Sequence, residues 1–262
     1  AVGRVGPNVL RTYRFAGTSW RQITERPIDT GGPGVIDVKF LSVDERGRFW
    51  VGLRVNNAGT VREHGVAVLD DNLPAATQFN SHVAPTGAVQ GAAPAPDDLT
   101  AVEFDATGTA WFAGLSGATS IQLGATADQP ATVHTYNETT GLRGDLVSDL
   151  ARGPNNRIFV ATTEGVGYHD GTRFAFDLVG SSAMPRVIAL AADANGQIWG
   201  AGQRGAWVYD GTRFRTVGHA EGLPNDSFND LQVDGENRVW FVTNEGITIL
   251  SQPHGAAAAA TP

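Results

Sequence analysis

Three groups of side chains in this sequence have the types and spacing that chemistry needs. Asp149 and Asp230 occupy equivalent places in two similar stretches. Such paired carboxylates serve as general acid and base, or hold calcium or another divalent ion; equally, they accept backbone N–H bonds at the start of a strand. Glu164 and Glu245 recur in the same stretches, with Ser116 and Arg204 at the matching places of two more. A ring reading Ser, Glu, Arg, Glu would grip a polar ligand or a cation; the alternative is a solvated rim. The third group is Arg54, Arg62 and His64, gathered in a segment (RVNNAGTVREH) that interrupts the surrounding pattern. Its composition reads as a long loop, and loops on rigid scaffolds often carry function.

Several chemistries are excluded or disfavoured. The chain has no cysteine, which removes disulfides, thiolate catalysis and Cys-based zinc sites. Its six histidines, at 64, 82, 134, 169, 219 and 254, show no His-x-His or His-x-x-x-His pairing. No nucleophile elbow, phosphate-binding loop or dinucleotide fingerprint stands in a suitable context. A net charge of −8 with no Lys/Arg run argues against nucleic acid. Between Arg11 and Arg21 the basic residues alternate with Tyr13, Phe15 and Trp20, as a strand alternates. No apolar stretch reaches the ~18 residues that span a bilayer. A chain that begins at Ala1 and lacks cysteine fits an exported protein, periplasmic or extracellular, cleaved from a signal peptide.

The elements that position these residues emerge from five aligned turns: Asp44-Glu-Arg-Gly47, Asp105-Ala-Thr-Gly108, Gly153-Pro-Asn-Asn156, Asp193-Ala-Asn-Gly196 and Asp234-Gly-Glu-Asn237. The last residue of each is Gly or Asn, the types that accept positive φ, and the first is usually Asp, whose carboxylate bonds turn amides. Three residues beyond stands an aromatic: Trp50, Trp111, Phe159, Trp199, Trp240. Two further on comes a small or β-branched residue: Gly52, Ala113, Ala161, Ala201, Val242. Six before the turn's last residue stands an aliphatic: Leu41, Val102, Leu150, Leu190, Leu231. A second turn recurs as Asp170-Gly-Thr-Arg-Phe174 and Asp210-Gly-Thr-Arg-Phe214, with Ala16-Gly-Thr-Ser-Trp20 like it at the N-terminus.

Each copy therefore predicts four strands, A to D, of roughly 40 residues in all. A lone sheet of four strands cannot bury both faces, and stacking sheets about an axis does so. The expected fold is all-β, a five-bladed β-propeller over residues 1–250, with a low-complexity tail over 251–262. The aromatics read as inter-blade core rather than as a ligand platform. The fifth copy lacks a D strand, and Trp20 to Ile23, paired with Val9 to Phe15, would supply it and close the ring.

The pattern of Gly-Leu, aliphatic strand, Asp-x-x-Gly-x-x-Trp, Thr-x-x-Gly and Tyr-Asp-Gly resembles the two-component regulator propeller repeat. Gly222-Leu223-Pro224 through Trp240 to Gly246, and Ala192 through Trp199 to Tyr209-Asp-Gly211, carry it best, and the resemblance spans residues 35 to 250. It implies a propeller like those of bacterial periplasmic sensor domains that recognise glycans or other nutrients. Those sensors carry many more repeats, a trailing immunoglobulin-like domain and a membrane segment, so the resemblance does not extend to a signalling role and leaves a ligand-binding role open.

Taken together, the sequence reads as a non-catalytic exported module that docks on a partner protein or a membrane-associated complex. The Ala84–Asp98 segment, rich in Ala, Pro and Gly, reads as a cover or a partner-binding arm. One alternative is a glycan or small-ligand sensor. Another is a metal-dependent enzyme resembling virginiamycin B lyase or a gluconolactonase-type hydrolase, with Asp149, Asp230, Glu164 and Glu245 as ligands. Apart from that ion, no cofactor is expected.

Overall fold

The structure, a computed structural model, describes residues 2–4, 9–15, 17–27, 34–57, 60–69, 79–82, 99–124, 131–178, 186–203, 205–223 and 226–251. The chain divides into two compact units, 1–140 and 141–262.

In the first unit, β1 (Val2–Arg4), β2 (Val9–Phe15) and β3 (Trp20–Pro27) form a three-stranded antiparallel sheet. Two four-stranded sheets follow: β4 (Gly34–Val43), β5 (Phe49–Asn57), β6 (Thr60–Leu69) and β7 (Phe79–His82), then β8 (Ala101–Phe104), β9 (Ala110–Gly114), β10 (Gly117–Gln122) and β11 (Thr132–Tyr136). Each is a simple meander in chain order. Trp50, Val66 and Val68 of one pack against Phe104, Ala110, Phe112 and Ile121 of the other. The Trp50 ring lies 5.6 Å from that of Phe104 and 5.9 Å from that of Phe112.

The second unit repeats the plan. One sheet comprises β12 (Val147–Arg152), β13 (Ile158–Thr162), β14 (Gly165–His169) and β15 (Phe174–Ala175); the next comprises β16 (Val187–Ala192), β17 (Ile198–Gly202), β18 (Gly205–Tyr209) and β19 (Phe214–Val217). The last has three strands, β20 (Asp230–Val233), β21 (Arg238–Thr243) and β22 (Gly246–Ser251). Phe159, Ala161 and Val166 meet Leu190, Ile198 and Tyr209 of the following sheet. Trp199, Ala201 and Val208 in turn meet Leu231, Val239 and Phe241. Trp50, Phe159 and Trp199 are thus inter-sheet core, as expected, while Trp111 stacks on Tyr136 of its own sheet at 5.6 Å and Trp240 is half-buried. Burying one such ring removes about 150–250 Å² from water, a gross gain of about 4–6 kcal/mol.

The last residue of every Asp-type turn has positive φ, from +59° at Asn156 to +83° at Gly108. Gly141 and Gly222 are left-handed too, ending short 3₁₀ turns and tucking Leu142 and Leu223 into the core. The Arg54–His64 segment departs from expectation: it is a ladder, not a loop. β5 and β6 pair from Phe49↔Leu69 to Asn57↔Thr60, with Arg54 opposite His64 and one irregularity at Val55 and Asn56. Val55, Thr60 and Val61 are β-branched, so the inserted residues lengthen both strands.

The N-terminal hairpin forms as expected, its second strand running on to Pro27. Among the described pairings β3 pairs with β2, and β22 with β21. Ile247 and Ile249 on β22 are 61% and 44% exposed, whereas Ala206 and Val208, their counterparts on β18, are buried by the following sheet. Ala84–Asp98 and the tail beyond Ser251 lie outside the described residues.

Candidate functional site

Most acidic side chains singled out by the repeat turn out to be fasteners. Asp193 Oδ1 accepts the Asn195 and Gln197 amides, both at 2.9 Å, while Oδ2 accepts Trp199 Nε1 at 2.9 Å. The same pattern joins Asp44 to Trp50 (2.9 Å), Asp105 to Trp111 (3.2 Å) and Asp234 to Trp240 (2.7 Å). In two copies an arginine joins in: Arg48 and Arg238 donate Nε to Asp44 and Asp234 at 2.6 Å and lie over the partnering indoles. The third copy has Gly153 in place of Asp and Phe159 in place of Trp; the ring without an N–H goes with the turn without a carboxylate. That coupling is visible in the sequence once the turn and the aromatic are compared copy by copy.

Burial alone would raise the Asp44 and Asp105 pKa values. The donors from Trp50 and Arg48, and from Thr107, Trp111 and Thr109, outweigh it and hold both below the ordinary carboxylate value. Asp234 is lowered in the same way, its desolvation outweighed by Arg238 and Trp240. Asp170 and Asp210, in the second turns, are lowered mainly by hydrogen bonds from Thr172, and from Arg213 and Thr212.

Asp149 and Asp230 each accept main-chain amides. Asp149 Oδ1 accepts the Leu150 amide at 2.8 Å, and Oδ2 reaches the next sheet to accept the Leu190 amide at 2.6 Å. Beside it, Ser148 Oγ donates to the Val187 carbonyl at 2.5 Å. Asp230 is exposed and accepts the Leu231 amide at 2.8 Å. The second of the two readings, backbone satisfaction at a strand start, describes these contacts.

Ser116, Glu164 and Glu245 stand at tips of two-residue hairpins between the second and third strands of their sheets: Gly114↔Gly117, Thr162↔Gly165 and Thr243↔Gly246 close the ladders. All three are exposed. Thr162 and Thr243 brace their tips by accepting the Glu164 and Glu245 amides on Oγ1, at 3.2 and 3.1 Å. Arg204 would hold the same place after Gly202↔Gly205, but lies outside the described residues. Arg54, Arg62 and His64 sit on β5 and β6; their side chains are likewise outside the described set.

At the hairpin end of the second unit, a cleft of about 200 Å³ opens among Leu146, Thr163, Arg186, Val187, Ile188 and Gln203. Arg186 Nη1 donates to Gln203 Oε1 at 3.1 Å. Sequence reasoning passed over Arg186 and Gln203. The residue ten before the turn's last residue differs from copy to copy: Asp37, Asp98, Leu146, Arg186, Ser227.

No family model matches the chain, and no curated protein does. Solved structures do. The extracellular domain of the hybrid two-component system BT3049 from B. thetaiotaomicron is similar with TM-score 0.65 and 18% identity, over 92% of this chain and 31% of that domain. A streptogramin B lyase is similar with TM-score 0.56 and 12% identity, over 95% of this chain and 77% of the lyase. PorZ, a surface component of the type-IX secretion system of Porphyromonas gingivalis, is similar with TM-score 0.53 and 19% identity, over 96% of this chain and 38% of PorZ. The chain therefore spans about a third of the BT3049 domain. Likeness at such identities shows the fold alone, and that fold is of the β-propeller type.

Proposed function

We propose that the chain is an exported, non-catalytic propeller module that docks on a partner protein or a membrane-associated complex through its hairpin tips. The observation that carries this reading is the state of Asp149: main-chain amides hold both its oxygens, so it serves the fold and is poorly placed to move protons. The exposed tips offer differing side chains on repeated hairpins, which suits recognition. Replacing Leu115, Thr163 and Glu245 singly by a photo-crosslinking phenylalanine analogue tests it. One defined adduct from these positions in the native envelope, and none from Arg46, Asn195 or Glu236 at the opposite ends of their sheets, is the expected result. Equal labelling from both ends, or none, refutes it.

A second reading, a periplasmic sensor of a glycan or other small ligand, is favoured by the cleft beside Gln203. The reading as a metal-dependent lyase or hydrolase is tested by titrating Ca²⁺ and Mn²⁺ against thermal unfolding. Saturating ion at a hundredfold its Kd would raise the midpoint by about 5 °C or more if a site exists, and we expect no such rise.

For the fold, we propose a single domain over 1–250 with five four-stranded blades, closed by the N-terminal strand. Its support is the β22 edge, which has no partner strand among the described residues, and the exposed Ile247 and Ile249, at places that are covered in the preceding sheet.

A further inference from the structure

Every left-handed position among the described residues is held by Gly or Asn, with one exception: Arg186, at φ +62°. Gly takes that conformation freely and Asn tolerates it, but an arginine gains nothing locally from it. Such an outlier persists only where its surroundings impose it. Here they do. Arg186 immediately precedes Val187, which pairs with Gly202, and a Cβ on Gly202 would collide with the Arg186 carbonyl. The missing side chain lets the Arg186 backbone lie against β17, at the margin of the cleft.

The cleft has an asymmetric lining. Leu146, Val187 and Ile188 contribute carbon surface, and Leu146 is 39% exposed. The hydroxyls of Ser148 and Thr162 are engaged with the carbonyls of Val187 and Arg143. Recognition of polar groups therefore falls to Arg186, Gln203 and the Thr163 hydroxyl. Among the described residues Arg186 bonds one group, the neutral amide of Gln203, and pairs with no carboxylate. A guanidinium carries five donors in a planar fork that matches a carboxylate. The volume, about 200 Å³, suits one ring-sized body.

We propose that this cleft binds a small monocarboxylate, its acid group on the Arg186 fork with Gln203 beside it and its carbon body against Leu146, Val187 and Ile188. The inference rests on reading the chain as a binding module, and gives that module a ligand class.

The test measures thermal shift and calorimetric binding of benzoate and galacturonate, against benzyl alcohol and galactose, on the full chain and on Arg186→Gly, Arg186→Asn and Arg186→Lys. At least one acid is expected to raise the wild-type midpoint by about 5 °C at a hundredfold its Kd, with neither neutral counterpart doing so. Arg186→Gly and Arg186→Asn should unfold at the wild-type temperature or above, because both accept positive φ, yet lose the shift. Arg186→Lys should bind at least tenfold more weakly, because it loses the bidentate fork. Equal binding of acids and neutral compounds, an acid shift kept by Arg186→Gly, or no shift with either acid overturns the proposal. If crosslinking at the tips fails while the acids bind, the docking reading falls and this one stands; the reverse result separates them the other way.

Discussion

Asp193 shows how one carboxylate fixes a turn and a core ring at once. Removing it in Asp193→Ala leaves the buried Trp199 N–H and two turn amides without their acceptor, and the expected loss is about 2–4 kcal/mol by denaturant unfolding. The third copy gives the converse. Gly153→Asp would restore the repeat's usual residue, but a Cβ there would meet Phe159 Cε2 at 2.5 Å and Ile198 Cδ1 at 2.8 Å. That variant should be destabilised despite matching the other turns, which a midpoint below wild type would confirm. The lowered carboxyls give a pH dependence of defined sign. Asp44, Asp105 and Asp234 sit below their ordinary 3.8 when folded, so the unfolded chain binds protons first. Their contribution is complete above about pH 4 and declines as pH falls through the lowered folded values. Tryptophan fluorescence during acid titration should show the wild type losing stability there, and Asp105→Asn should lose less of its remaining stability over that window.

Between elements, the sheets of the second unit are tied by side chains that bond main chain. Asp149 takes the Leu190 amide, Ser148 gives to the Val187 carbonyl, and Asn237 Oδ1 takes the Ala194 amide at 2.6 Å. Asp149→Ala should cost about 1–3 kcal/mol by exposing an unmet N–H in a part-buried seam, and Asp149→Asn, which keeps an acceptor, should cost less. If crosslinking at the tips persists in Asp149→Asn, the residue belongs to the scaffold. The strands themselves could be read from the sequence because the turns are local: Asp at one place, Gly or Asn three later, an aromatic three beyond that. The seam was not, since Asp149 finds its partner in the next copy and nothing nearby distinguishes a fastener from an acid. The Arg54–His64 segment misled for a related reason. Asn56 and Asn57 look like loop, while the ladder that absorbs them depends on which residues stand opposite across β5 and β6. Arg186 was hidden because nothing in its local sequence marks a left-handed backbone.

At the scale of the molecule, the exposed isoleucines of β22 decide between a covered and an open last sheet. Ile247→Asp, made together with Ile249→Asp, should lower the unfolding midpoint by several degrees if ring closure covers that face. An unchanged midpoint would mean that the face is open to water or to another protein. The Asp–Trp pin has a consequence for how such a chain can change in length. Donor and acceptor both come from one short stretch of a single copy, so the pin travels whenever that copy is duplicated, and a deleted copy takes its pin along. No partner elsewhere has to adjust in step. A chain fastened in this way can be lengthened or shortened by whole sheets while each remaining sheet keeps the means to hold its own ring in place.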